Sequence, residues 1–166
     1  MKLHKLTITT SVFAIALFLL ASSSASAQSQ KDIVIQAVRA YETAPSAKET
    51  AQVREKALRW VIETDDVHLV VCGGIFSMFS DKKNKNSSDM TAAYTLGMAA
   101  FKLENPSKAS DEDATQLAGL ESALKTYEAL VKEKPKTKND SIEALLVKRN
   151  NGELAAMVAA AACGKK

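Results

Sequence analysis

The sequence predicts an all-α fold, a compact single-domain bundle of about six or seven short helices, fastened by one disulfide. Three observations point there. Apolar residues recur at steps of three and four in one segment after another, Pro, Gly and Asn-rich breaks separate those segments, and no pair of alternating segments is available to form a sheet.

Residues Met1 to Ala27 read as a secretory signal peptide. Lys2 and Lys5 form its positive start, Val12 to Ala21 its apolar stretch, and Ala25-Ser26-Ala27 its small-residue cleavage site. The apolar run is about half the roughly 20 residues that a membrane span requires, so no stable span is expected after cleavage. Cleavage after Ala27 leaves 139 residues, one domain over 28–166, with a periplasmic or secreted destination. Two lysines and no acid leave with the leader, so the mature chain carries a formal +1. That balance argues against nucleic acid as the main partner.

The first helix is expected over about Gln30 to Glu42, with Ile33, Val34, Ala37, Val38 and Tyr41 on its apolar stripe and Ala44-Pro45 as its stop. Ser46 and Glu49 have the spacing of a capping box for a second helix, whose inward stripe is Val53, Ala57, Trp60 and Val61. Val67 to Phe79 carries β-branched residues beside Gly73-Gly74; helix is preferred, because a lone strand would leave its backbone unpaired. Asp81 to Ser88 is an exposed polar loop.

A fourth helix follows from Ser88 or Asp89 to about Glu104, with Met90, Tyr94, Gly97, Met98 and Phe101 on one face and Asn105-Pro106 as its stop. The longest runs from Asp111 to about Lys134. Ser110 and Asp113 offer a cap signature, and Leu117, Leu120, Leu124, Tyr127 and Val131 form the buried stripe. Asp140 or Ser141 caps a short helix to about Arg149, and Asn150-Asn151-Gly152 ends it. The last helix, Glu153 to Ala162, is alanine-rich with a wide apolar surface, so burial is expected.

Chemistry is confined to few residues. Cys72 and Cys163 are the only cysteines, and an exported chain matures where thiols pair, so a Cys72–Cys163 disulfide is expected. Gly73-Gly74 and Ala159 to Ala162 strip bulk from both neighbourhoods, which predicts that these two backbones touch. On a helix, His68 and Cys72 would share a face, and Cys163 could join them in a thiol-redox or metal site. An enzyme would need some of Glu63, Asp65, Asp66, His68 and Tyr94 to converge. No catalytic motif or cofactor fingerprint occurs, and no cofactor is called for. Two lysine-rich loops, Lys82, Lys83 and Lys85 in one and Lys136 and Lys138 in the other, could meet an acidic partner or an anionic surface, although neither interleaves aromatic residues for base stacking. Asn86-Ser87-Ser88 and Asn139-Asp140-Ser141 match the glycosylation sequon. The reading favoured by these residues is an exported, non-catalytic helical protein that binds another protein.

One resemblance points the same way. Ala123-x3-Tyr127 followed by Pro135 resembles the second helix of a tetratricopeptide repeat, and Leu96-Gly97 resembles the Leu-Gly pair of its first. It covers at most a quarter of the chain, with a wider spacing than the family's and no recurring period. The resemblance implies a helical hairpin that binds other proteins through a groove.

Overall fold

The computed structural model describes residues 22–163, which form seven α-helices and, among the described residues, no strand. The leader expected over residues 1–27 lies outside the described residues as far as Ala21. The first helix begins earlier than its apolar stripe suggests. It runs Ser22–Thr43 as α1, followed by α2 (Lys48–Glu63), α3 (Gly73–Phe76), α4 (Ser87–Glu104), α5 (Glu112–Glu133), α6 (Asp140–Asn150) and α7 (Leu154–Ala160). None of the described helices is long and apolar enough to cross a membrane.

The stops fall where proline geometry requires. α1 ends two residues before Pro45, α4 two before Pro106 and α5 two before Pro135, because a residue preceding proline is pushed out of the helical region. α6 ends differently. Gly152 adopts φ +73°, and the N–H groups of Gly152 and Glu153 return to the carbonyls of Arg149 and Lys148, which closes the helix end.

The caps correct the sequence expectation by one or two residues each. α2 is preceded by extended Ala47 with no side-chain cap, so the Ser46/Glu49 box does not form. A turn that donates the Ala47 N–H to the Ala44 carbonyl places Ser46 outside the helix. α4 starts at Ser87 after Asn86, not at Ser88 or Asp89. Asp111, not Ser110, caps α5 by accepting from the Ala114 N–H at 3.0 Å. Asn139, not Asp140 or Ser141, caps α6. The cap falls earlier than expected at α4 and α6 and one residue later at α5, at the position the backbone fixes.

α4 and α5 are the centre, and their packing is the most extensive in the molecule. They run antiparallel, as the pairing of Lys102 with Glu112 near one end and of Gly97 with Gly119 near the middle shows. A Cβ built on Gly119 would lie 2.6 Å from Met98 Cγ and 2.8 Å from the Tyr94 carbonyl oxygen; one on Gly97 would lie 2.6 Å from Ser122 Cβ. Leu96-Gly97 and Ala123-Tyr127 therefore do belong to one tightly packed hairpin. α1 and α2 cover one flank, where Val34, Ala37, Val38, Ala57, Val61 and Val67 meet Leu96, Ala99 and Ala100 of α4. α6, α7 and residues 72–79 cover the other, where Ile75, Phe79, Ile142, Leu154 and Val158 meet Met90, Tyr94, Leu120, Leu124 and Tyr127.

Two expectations about this second flank fail. Val67 to Phe79 is not one helix: residues 67–72 belong to no helix or strand, Cys72 is extended, and only Gly73–Phe76 makes a helical turn. α7 is not broadly buried either. Leu154 and Val158 point inward, while Ala155, Ala156, Ala159 and Ala160 are exposed, because a seven-residue helix presents only two turns to its neighbour.

Candidate functional site

The polar groups buried in this bundle tie elements together, and segment 67–72 shows how. Gln116 is fully buried on α5, on the same stripe as Leu120, Ala123 and Tyr127. Its amide nitrogen donates to the Val70 carbonyl, and its carbonyl oxygen accepts from the Tyr94 hydroxyl of α4. A side-chain amide thus satisfies one backbone carbonyl of a segment that pairs with no strand. A polar residue on an otherwise apolar helix stripe was the available signal.

Tyr41 and Tyr127, the remaining tyrosines, act in the same way. Tyr41 donates to Asp89 Oδ1 at 2.6 Å and accepts from Arg54 at 2.9 Å; the guanidinium also lies 5.3 Å from its ring centroid, linking α1, α2 and α4. Tyr127 of α5 donates to Glu143 Oε1 at 2.9 Å and accepts from the Asn139 N–H at 2.8 Å, fixing the start of α6. Burial, the leading cause in each case, raises all three phenols above their ordinary value of 10.0. Tyr94 and Tyr127 are pushed up to about 12, and Tyr41 is pushed further by burial and by its bond to Asp89.

Cys72 and Cys163 are bonded, with Cα atoms 5.4 Å apart, and both are buried. That separation is the one the expected contact between the two segments requires. A Cβ on Gly73 or Gly74 would meet nothing within 4 Å, so the approach does not depend on those positions lacking a side chain. Extended Cys72 enters from one side, and Ala162, in the left-handed region at φ +49°, turns the chain so that Cys163 enters from the other. The bond sits in the apolar cluster with Ile75, Phe79 and Tyr94.

His68 is exposed on segment 67–72, so it has no helical register with Cys72. It lines a shallow depression with Asp66, Val70, Leu103 and the Lys102–Glu112 ion pair. Among the described residues no group of three or more His, Cys, Asp or Glu side chains is gathered as a metal site. Of the five residues an enzyme would have had to bring together, Glu63, Asp65, Asp66 and His68 are exposed and Tyr94 is enclosed.

Two surface features stand out. On the outer face of α2, Ile62 is 79% exposed and shares a shallow depression with Leu58, rimmed by Arg54, Glu55, Arg59 and Glu63. At one end of the bundle the two lysine-rich loops adjoin, because the Asn86 side chain donates to the Thr137 carbonyl at 3.1 Å. Both sequon asparagines are committed to structure: Asn86 is buried, and Asn139 caps α6.

The chain matches no protein-family model, no curated protein and no solved structure.

Proposed function

We propose that this is an exported, non-catalytic helical protein that binds another protein through the outer face of α2. The observation that carries the reading is the arrangement around Ile62. A large apolar side chain stands 79% exposed beside Leu58, and a mixed rim of two arginines and two glutamates surrounds the pair. An apolar centre inside a charged rim is the layout of a protein-binding patch, and arginine is among the residues enriched there. The buried chemistry supports the same reading: the tyrosine hydroxyls and the disulfide are engaged in holding helices in place, which leaves a rigid scaffold to present that face. Export, expected from the leader, would supply the oxidising compartment in which the Cys72–Cys163 bond forms.

The test is a capture experiment from the native envelope with wild type and Ile62→Glu side by side. A specific partner retained by wild type should be lost from Ile62→Glu, with the melting temperature unchanged because Ile62 makes little core contact. A partner retained equally by both proteins would contradict the assignment of this face.

A further inference from the structure

We propose that the end of the bundle carrying Lys82, Lys83, Lys85, Lys134, Lys136 and Lys138 docks on an anionic phospholipid surface. The inference is independent of the α2 face and rests on how the two loops are built. In the first, buried Asn84 donates to the Phe79 carbonyl and accepts from the Asn86 N–H, which pins the loop from beneath and leaves Lys82, Lys83 and Lys85 exposed. In the second, Thr137 caps the turn by donating to the Lys134 carbonyl, and the Tyr127 hydroxyl holds Asn139. The Asn86–Thr137 hydrogen bond then joins the loops, 51 residues apart in sequence, into one structured surface.

Charge at this end is concentrated. With Lys132 the two loops hold seven lysines against Asp81, Glu133 and Asp140; Lys138 also pairs with Glu143 at 3.2 Å, and Glu42 and Glu128 share a depression with Lys132. The opposite end mixes both signs of charge, with Lys31, Lys102 and Lys108 among its acids. Glu104, Asp111, Glu112 and Asp113 cluster at the α4–α5 connection, and the depression shared by Asp66 and Glu112 brings the chain around residue 66 to the same end. The unmixed lysine concentration is therefore confined to one end of α4 and α5, and that end is the one an anionic plane would attract most.

The kind of cation selects the partner. Every basic residue on these loops is lysine, a compact hydrated point charge without arginine's two-pronged geometry. Protein interfaces are depleted of lysine and enriched in arginine and aromatic residues, and these loops contain neither of the latter. Lysines clustered without apolar anchors suit a diffuse layer of phosphate headgroups, where each contributes several-fold to binding.

Vesicle co-sedimentation of the full protein tests this, with phosphatidylcholine alone and phosphatidylcholine mixed with phosphatidylglycerol. Binding to the anionic vesicles only, suppressed by high salt, is expected. Replacing Lys82, Lys83 and Lys85 with Gln, or Lys134, Lys136 and Lys138 with Gln, should weaken it roughly a hundredfold. A control removing the same charge from exposed, scattered positions, with Lys56, Lys108 and Lys148 replaced by Gln, should weaken it far less. Circular dichroism of each variant establishes that the fold is retained. The proposal is overturned by absence of binding at low salt, by an equal loss in the control, or by binding to polyglutamate without binding to anionic vesicles, which would assign this end to an acidic protein.

Discussion

Gly119→Ala sets two effects of known size against each other at the α4–α5 crossing. In an isolated helix, alanine is favoured over glycine by about 1 kcal/mol. In this bundle the new methyl would lie 2.6 Å from Met98 Cγ, 2.8 Å from Tyr94 Cδ2 and 2.8 Å from the Tyr94 carbonyl oxygen. Met98 is flexible enough to move. The carbonyl belongs to the α4 backbone, and the Tyr94 ring is fully buried with its hydroxyl bound to Gln116, so neither can yield alone. The helices must separate, and overpacking of this kind costs about 1 to 3 kcal/mol, at the upper end where backbone is the obstacle. The net expectation is destabilisation by about 1 to 2 kcal/mol, or roughly 2 to 8 °C in Tm for a domain of this size. Gly73→Ala is the internal control, since a Cβ there meets nothing within 4 Å and stability should change by less than about 0.5 kcal/mol. Urea unfolding followed by circular dichroism measures both variants. If Gly119→Ala matches or exceeds wild type, the packing described for this crossing is wrong.

Three further outcomes are expected. Because burial raises the phenols, the folded state favours their protonated forms. Their contribution is fully present below pH 10, the unfolded value, and is lost as pH rises towards about 12; for Tyr94 the loss approaches roughly 3 kcal/mol. Phenolate absorbance should thus appear together with unfolding, and any tyrosine that ionises near pH 10 with native circular dichroism would contradict its burial. Asn139→Ala removes the side-chain oxygen that accepts from the Ser141 and Ile142 N–H groups and should cost about 1 kcal/mol in a urea titration, whereas Asp140→Ala should cost less. Cys72→Ser opens a loop whose ends are 91 residues apart and should lower stability by about 4 kcal/mol, on the order of 10 °C in calorimetry.

Much of this architecture was legible, for reasons that differ from element to element. The stripe Leu120, Leu124 and Tyr127 is buried as its periodicity requires, and Pro45, Pro106 and Pro135 mark helix ends because their geometry acts locally. The caps were misplaced by a residue or two because Asn, Asp and Ser lie side by side at these boundaries, and the choice depends on backbone angles set by packing. Residues 67–72 were misread because their hydrogen-bonding partner is a side chain 46 residues away, which no local pattern reveals. The cysteine pair was foreseeable from the presence of two cysteines behind an expected export leader. So was the Cα separation it needs, although a side chain is sterically excluded at Gly97 and Gly119 of the α4–α5 crossing rather than at Gly73 and Gly74. At the surface, lysine content was plain in the sequence, but only the Asn86–Thr137 contact shows that the two loops form one patch.

The role assigned to Cys72 and Cys163 decides between a scaffold that binds and a protein that works through its thiols. Peptide mapping of unreduced, alkylated protein recovered from its native host measures this directly. The account predicts a single linked peptide pair containing Cys72 and Cys163, with no alkylated cysteine until reductant and denaturant are added. Alkylation of both cysteines in the native, unreduced protein would contradict it and return Cys72, with His68 nearby in sequence, to the position of a reactive site.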